Sequence, residues 1–330
     1  MCEAALAHVR PSEMTLGKVL VTGASGFVGR ALVAEALSRG VPVRAAVRRP
    51  AMTLPAEHVV VGDVDERTDW SNALRGCDAV VHLANLAHAP SSIAELERVN
   101  VVGTVHLAQQ AADRGVRQLI FLSSIKAIGD ESWERALKEN DPPRPADAYG
   151  SAKRDAERAL QSLSSRTGLC ITVLRVPLVY GPAVKGNFAA LLRAIARGYP
   201  LPLGSVENRR SLIYVGNLVD AVLGCIALPD ATWRVYHVTD GHAVSTPELV
   251  RGLAAGLGRP ARMFPFPPML LELLATLLGR GSAARRLTRS LEVDDTAIRS
   301  ELGWHPPFTF DEGIGSTTRW YIDRSRARSD

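Results

Sequence analysis

Tyr149 and Lys153, four residues apart, and Ser124, at the end of an apolar run, are the residues of this chain whose types and spacing could do chemistry. A phenol titrates near 10, so acid/base work at neutral pH needs help. A neighbouring ammonium favours the phenolate, and a spacing of four puts both groups on one helical face. A serine hydroxyl close by holds the oxygen that gains or loses the proton. Six tyrosines and five lysines in 330 residues give about 0.09 chance matches to Tyr-x-x-x-Lys. Arginines outnumber lysines 34 to 5, yet the chain places lysine here, the compact charge suited to pKa control. The plain alternative is a surface Tyr/Lys pair.

A second stretch with chemical meaning is Gly17–Gly29. Lys18–Thr22 reads as a buried strand, Gly23, Gly26 and Gly29 follow at G-x-x-G-x-x-G spacing, and Phe27, Val28, Leu32, Val33 and Leu37 begin a helical period. Glycines let backbone N–H groups approach a pyrophosphate, and the helix N-terminus adds its positive end. Dinucleotide binding is therefore expected. A second strand, Val41–Val47, ends in Arg48-Arg49 where a ribose-binding acid is usual. Guanidinium groups pair with a 2′-phosphate, which favours NADP(H) with NAD(H) as the alternative; a solvated arginine pair is the bland reading. Asp63, after the third strand Val59–Val61, is placed to take an adenine amino group or simply to form a turn.

Further elements position these residues. Ala79–Ala84 is a fourth strand with Asn85 at its carboxyl end, Asn100–Arg114 a helix, Gln118–Ser123 a fifth strand ahead of Ser124, and Tyr149 opens a helix. Alternating strand and helix predict an α/β fold: a Rossmann-type doubly wound parallel sheet over residues 16–182, with segments around 210–240 returning to it. Residues 183–330, broken by Gly and Pro, read as a smaller substrate lobe. Its elements are a helix near Phe188–Arg197, a strand near Leu212–Val215, a helix Asn217–Ala227, a strand near Val235–Val238, and helices at Thr246–Gly256 and Leu270–Leu278.

Bulk properties narrow the classes. A content of 46% hydrophobic and 22% charged residues is that of an ordinary globular protein. Net charge is +5, with the basic residues read as scattered and no aromatic-interleaved basic stripe, so an anionic small molecule is expected over nucleic acid. Cys2, Cys77, Cys170 and Cys225 lack ligand spacing and read as reduced thiols in a cytoplasmic protein, and His82, His88, His237 and His242 are dispersed; no metal is expected. Met1–Thr15 reads as a flexible extension without a signal peptide, with Met14 an alternative start. The most apolar window, Met269–Leu278, is too short to span a bilayer and carries Glu272, so it reads as a core or lid helix with no membrane insertion. Apolar residues on more than one face of the helices Asn100–Arg114 (Val101, Val105, Leu107, Ala108, Ala111) and Tyr149–Ser164 (Ala152, Ala156, Ala159, Leu160, Leu163) suggest a homodimer.

Thr22-Gly-Ala-Ser-Gly-Phe-Val-Gly29, Gly62-Asp-Val64, His82-Leu-Ala84, Val99-Asn-Val-Val-Gly-Thr104, Ser123-Ser124 and Tyr149-x-x-x-Lys153 come in the order of the extended short-chain dehydrogenases/reductases, the NAD-dependent epimerase/dehydratase family, which the chain resembles from Leu16 to Tyr321. Arg175–Pro182, Val184–Phe188, Pro200–Gly204 and Asn208–Leu212 are similar to bacterial UDP-sugar enzymes of surface-polysaccharide synthesis, among them UDP-N-acetylquinovosamine-type 4-ketoreductases and UDP-glucose 4-epimerase-like proteins. The resemblance implies a catalytic set of Ser124, Tyr149 and Lys153. It places Phe27, Val28, Asp63, Val64, Leu83, Ala84, Asn100 and Pro177 around the cofactor, and Asn187, Arg210 and Arg286 (or Arg285) at the nucleotide diphosphate. Independently, Arg209-Arg210 ahead of a strand suits a diphosphate clamp or a solvated loop pair. Dehydratases carry an acid pair just after the serine; Ile125 and Lys126 stand there, so 4,6-dehydration is not expected, and Lys126 joins the substrate-side residues. Leu178 replaces a common Asn, and Asn85 a common glycine or alanine.

The sequence thus reads as an NAD(P)-dependent oxidoreductase of nucleotide sugars, with reduction of the C4 keto group of a UDP-4-keto-6-deoxy-hexosamine first. A UDP-hexose 4-epimerase is the alternative, and a non-catalytic dinucleotide sensor the third reading. The arginine pair tilts towards the reductase, since a net reductase exchanges NADPH each turnover whereas an epimerase retains NAD⁺.

Overall fold

A computed structural model describes residues 17–50, 54–87, 92–227 and 231–327; Cys2, the Met1–Thr15 extension with Met14, and His88 lie outside them. In chain order the elements are β1 (Lys18–Thr22), α1 (Phe27–Ser38), β2 (Val43–Val47), β3 (Glu57–Val60), α2 (Ser71–Leu74), β4 (Cys77–His82), α3 (Ile93–Glu97), α4 (Gly103–Asp113), β5 (Gln118–Ser124), α5 (Ala148–Thr167) and β6 (Cys170–Val176). Then follow β7 (Leu178–Tyr180), α6 (Gly186–Ala196), β8 (Arg210–Tyr214), α7 (Val215–Ile226), β9 (Trp233–His237), β10 (Ala243–Val244), α8 (Thr246–Gly256), α9 (Pro268–Leu277), α10 (Gly281–Thr288), α11 (Thr296–Leu302) and α12 (Phe310–Arg326).

Seven strands form one sheet in the order β3-β2-β1-β4-β5-β6-β9, and every pairing in it is parallel. Parallel strands covered on both faces are mostly apolar, and β2 is buried at all five positions, Arg44 included, whose guanidinium is paired with Glu57 and with backbone carbonyls. Alternation then sorts side chains between two cores. Val19 and Val21 of β1 and Ile120 and Leu122 of β5 face a core with Leu32 of α1, Leu218 and Val222 of α7 and Ile298 of α11. Leu20, Leu119 and Phe121 face the other, with Leu107 and Ala111 of α4 and Leu160 and Leu163 of α5. This is the Rossmann arrangement, and the order reverses between β1 and β4, so their carboxyl ends open a crevice.

Of the 210–240 stretch, β9 joins the large sheet, whereas β8 pairs with β7 and β10 in a second sheet of three strands. A third core packs Phe188, Leu192, Leu249, Leu253, Phe310 and Ile314 around Tyr180, whose hydroxyl donates to Asp240 Oδ2 at 2.9 Å.

Two sequence expectations change. The apolar helix α9 is no core element: none of its residues is buried. Of the ten apolar residues taken as a dimerisation signal, seven (Leu107, Ala108, Ala111, Ala152, Ala156, Leu160 and Leu163) are buried within the chain, so most of that apolar width serves the chain's own sheet and the α4–α5 contact.

Candidate active site

The glycine turn after β1 is built for close approach. Gly23 has φ of +65°, and a Cβ on Gly29 would stand 2.3 Å from the Gly23 carbonyl oxygen. The Gly26 N–H donates to that same carbonyl at 2.9 Å. Across the crevice lie Leu83, Ala84 and Asn85. The Asn85 amide donates to the Leu83 carbonyl at 3.0 Å, and its buried Oδ1 has no partner among the described residues. A side-chain-free cradle at a helix N-terminus, facing an unclaimed buried acceptor, fits a dinucleotide. Phe27 and Val28 open α1 half-buried, and Pro177 is buried between β6 and β7.

Ser124, Tyr149 and Lys153 come together by local means. Ser124 ends β5, and its Oγ accepts the Lys126 N–H at 3.2 Å, starting a short 3₁₀ turn over Ile125–Ala127. Asp147 caps α5 by accepting the Gly150 N–H at 2.8 Å, which sets Tyr149 in the first turn. A Cβ on Gly150 would lie 2.5 Å from the Lys126 carbonyl oxygen, so glycine there lets α5 approach the serine turn. One turn on, Lys153 is 1% exposed; its ammonium donates to the Leu122 carbonyl at 2.8 Å and lies 4.5 Å from the Phe121 ring centre and 5.9 Å from that of Tyr149.

The electrostatics correct one expectation. The Tyr149 phenol is held above its ordinary value, first by burial and next by the Asp147 charge, with a hydrogen bond from Ser124 pulling the other way. Burial also lowers Lys153 from 10.5 to about 7, against the pull of Glu157. Lys153 spends its proton on a carbonyl and an aromatic face and does not draw Tyr149 down in this geometry. The influence that lowers the phenol here is its hydrogen bond with Ser124.

Sequence reasoning missed the supports behind these residues. Glu157, a third position on the Tyr149–Lys153 stripe, is buried in a fork with Arg175, Nη2 to Oε2 being 2.7 Å, and also accepts the Ser123 hydroxyl. Arg175 bonds the Glu139 carbonyl at 2.8 Å as well. Four-residue spacing from Lys153 to Glu157 was the available signal. On the cofactor side, Thr22 Oγ1 accepts the N–H groups of Leu83 and Ala84 at 3.2 Å each, and so gives its own proton to His82 Nδ1 at 2.7 Å. His82 Nε2 must then donate to Thr104 Oγ1 at 2.9 Å, which donates to the Asn100 carbonyl at 2.9 Å. Burial, with Lys153 nearby, lowers His82 to about 3, so this ring is a neutral linker.

Asn100 lies in a π-helical turn, Arg98–Val102, and both ends of its amide bind Leu86: Oδ1 accepts the N–H at 2.8 Å and Nδ2 donates to the carbonyl at 3.1 Å. It thus holds the loop after β4 and acts on the cofactor side through that loop. Val64 is half-buried beside it, against Gly103. At the adenosine end, Arg48 and Arg49 are exposed, and Arg48 Nε lies 3.0 Å from Asp63 Oδ1, so Asp63 is engaged by its neighbour.

The substrate side is a cavity of ≈ 210 Å³ lined by Lys126, Asp130, Glu131, Asp147, Arg285, Arg286 and Arg289 among others. Lys126 and Asp147, which pair with each other, join it to Ser124 and Tyr149; Asp130 lies 3.0 Å from the same ammonium. Arg285 and Arg286 both line the cavity. Arg210 is half-buried, lowered to about 10 by burial and by Arg286, and donates to the Arg289 carbonyl at 2.8 Å, which places it beside this cluster. The proposed Arg209-Arg210 clamp splits. Successive strand residues point to opposite faces, and Arg209 binds Glu292 at 2.9 and 3.0 Å on the surface. Asn187 is exposed on the first turn of α6, and does not line the cavity.

A model of the NAD dependent epimerase/dehydratase family matches residues 19–238. The chain is similar to a UDP-glucose 4-epimerase of Vibrio cholerae, 39% identical over 92% of this chain and 95% of that one. It is also similar to the N-acetyl-alpha-D-glucosaminyl-diphospho-ditrans,octacis-undecaprenol 4-epimerase of Escherichia coli O157:H7, 28% identical over 92% and 94%. Among solved structures, MoeE5 in complex with UDP-glucuronic acid and NAD superposes with a TM-score of 0.77 at 28% identity, over 93% of this chain and 100% of that one.

Proposed function

The chain belongs to the NAD dependent epimerase/dehydratase family, as an NAD-dependent enzyme of the extended short-chain type, and from that premise we propose that it is a 4-epimerase of a UDP-sugar. The observation that carries this reading is the set of half-buried Ser124 and Tyr149 with buried Lys153 beside an arginine-lined cavity, in a chain 39% identical to a UDP-glucose 4-epimerase. Gly23, Gly26 and Gly29 would hold the dinucleotide's pyrophosphate, and the nicotinamide supplies a two-electron acceptor and donor at the sugar C4. Tyr149 takes a proton from the C4 oxygen and later returns it, Ser124 holds that oxygen and favours the phenolate through its hydrogen bond, and the Lys153 ammonium would hold the cofactor ribose. Arg285 and Arg286 bind the diphosphate at a fixed point, leaving the sugar free to turn and present its other face. Dehydration is outside this reading: Ile125 is buried and Lys126 is ion-paired, so the residues after Ser124 supply no acid pair.

One observation favours a second reading, the C4-ketoreductase expected from the sequence with NADPH. Strand β2 ends without an acid, and Arg48 and Arg49 stand exposed where a 2′-phosphate would lie. Purified protein incubated with UDP-glucose and no added nicotinamide distinguishes them. UDP-galactose formation supports the epimerase; its absence, with NADPH oxidation on a UDP-4-keto sugar, supports the reductase. Neither activity overturns both. Arg48→Ala tests the cofactor: loss of a charge-assisted contact of about 1.5–3 kcal/mol raises KM for NADPH roughly 10- to 150-fold and spares NADH. The reading includes a homodimer through the outer faces of α4 and α5, where Val101, Val105 and Ala159 are half-exposed. A 35.5 kDa particle by light scattering at micromolar concentration counts against it.

A further inference from the structure

We propose that the outer face of α9, with the arginines around it, docks on the surface of an anionic lipid bilayer. Met269, Leu273 and Leu277, at intervals of four, are 86%, 57% and 75% exposed, and Leu270, Leu274 and Leu278 form a second row at 43%, 45% and 77%. Two rows offset by one residue make a single apolar face. The helix's one acid does not interrupt it, because Glu272 is turned to the protein, where its carboxylate binds Arg289 at 2.8 Å and the Thr288 hydroxyl at 2.6 Å. Six large apolar side chains on one outward face are more than scattered surface residues, and mark a surface that something covers.

Charge says what covers it. Residues 251–289 hold seven arginines, no lysine and one acid, while the whole chain is only +5; the rest of the chain is therefore net −1. The basic surplus, read from the sequence as scattered, is concentrated around this helix. Arg259 and Arg262 precede it, and Arg280 follows it, all exposed. A leucine face rimmed by guanidinium groups matches an interfacial helix, whose apolar side sinks to the acyl boundary while the cations meet lipid phosphates. A second copy of the chain docked about a two-fold axis would set two such basic rims against each other, which disfavours it as the occupant. With ten residues the helix lies on a bilayer and does not cross it, and among the described residues no helix is long and apolar enough to span. The docked face adjoins the cavity through α10, which is tied to α9 by the Glu272–Arg289 pair and contributes Arg285 and Arg286 to the lining.

The test is flotation of the full chain with vesicles of phosphatidylcholine alone or with about 30% phosphatidylglycerol. The expected result is binding to the phosphatidylglycerol vesicles, weakened at high salt, and little binding to phosphatidylcholine. Leu273→Glu/Leu277→Glu should lower the partition at least tenfold, and Arg259→Gln/Arg262→Gln by about fivefold per arginine, both with an unchanged unfolding midpoint. The arginine variant keeps the test decisive where the leucine variant folds poorly. No binding of the wild-type chain to phosphatidylglycerol vesicles overturns the proposal, as does binding that neither double variant weakens. A wild-type dimer that the leucine variant dissociates, without vesicle binding, overturns it too and assigns the face to a second copy.

Discussion

Replacing Lys153 by methionine separates what the site costs from what it does. Burial lowers the ammonium from 10.5 to about 7, although Glu157 pulls the other way. Glu157 gives only part of its charge to Lys153, because it is already forked to Arg175 at 2.7 Å. At about 1.36 kcal/mol per pH unit, that depression makes the charged form cost roughly 5 kcal/mol well below pH 7. The folded pKa lies below the unfolded one, so between about 7 and 10 the unfolded chain holds more protons and stability rises with pH. The penalty is complete below about pH 7.

Methionine has similar length and no charge. It removes the penalty but gives up the bond to the Leu122 carbonyl, about 1–3 kcal/mol with that acceptor left buried. The balance at pH 6 is about 2–4 kcal/mol in favour of the variant. With about 2.1 cal/mol/K of unfolding entropy per residue, a 330-residue chain gains roughly 3–6 °C in Tm. At pH 9 the wild-type chain has shed over half of the penalty, and the advantage vanishes or reverses. Scanning calorimetry at both pH values measures this, and turnover falls at least about a hundredfold throughout. A variant less stable than wild type at pH 6, with a Tm difference that ignores pH, refutes the assignment of the cost to the buried charge.

Tyr149→Phe keeps the ring and removes the oxygen, so kcat falls by at least about a hundredfold at unchanged fold; near wild-type turnover ends its role as proton carrier. Glu157→Gln leaves Arg175 without its carboxylate, costing about 3–5 kcal/mol in unfolding measurements. It also removes the charge that holds Lys153 up, so the basic limb of the kcat–pH profile moves lower; an unmoved limb confines Glu157 to scaffolding. Gly29→Ala puts a Cβ 2.3 Å from the Gly23 carbonyl oxygen and should weaken dinucleotide binding at least about tenfold by calorimetric titration. An unchanged Kd shows that the turn relaxes freely.

What was legible in the sequence was local. The glycine turn, the helix that follows it and the Tyr149/Lys153 pairing each depend on residues within one or two turns, and the fold class followed from their alternation with strands. Strand β6 is masked in the sequence by the charged Arg175 near its end, though the apolar run of Cys170–Val176 is that of a strand buried between β5 and β9. Helix α12 was missed despite a capping box joining Thr309 and Glu312. The fork between Glu157 and Arg175 spans 18 residues and the Ser123 bond to Glu157 spans 34; neither has a signature in either segment alone. The Lys153 environment was misjudged for a related reason. Spacing gives which face a lysine shares, whereas its pKa is set by what buries it, and that comes from β5.

The two polar groups buried behind the site are handled in opposite ways, and this assigns its pH response. His82 is neutral and satisfied at both nitrogens, by Thr22 on one side and Thr104 on the other. Protonating it would force a third donor onto Thr22 Oγ1, whose two lone pairs already accept from Leu83 and Ala84, so charge would break the link that holds the cofactor loop. Its low pKa of about 3 is the expression of that network, and burial likewise lowers His237 to about 4. Neither buried histidine changes charge near neutrality. Lys153, lowered to about 7, does. A limb of the kcat profile near neutral pH therefore belongs to the loss of the Lys153 charge, falling as pH rises, and it should survive substitution of His82 by a neutral residue that still folds.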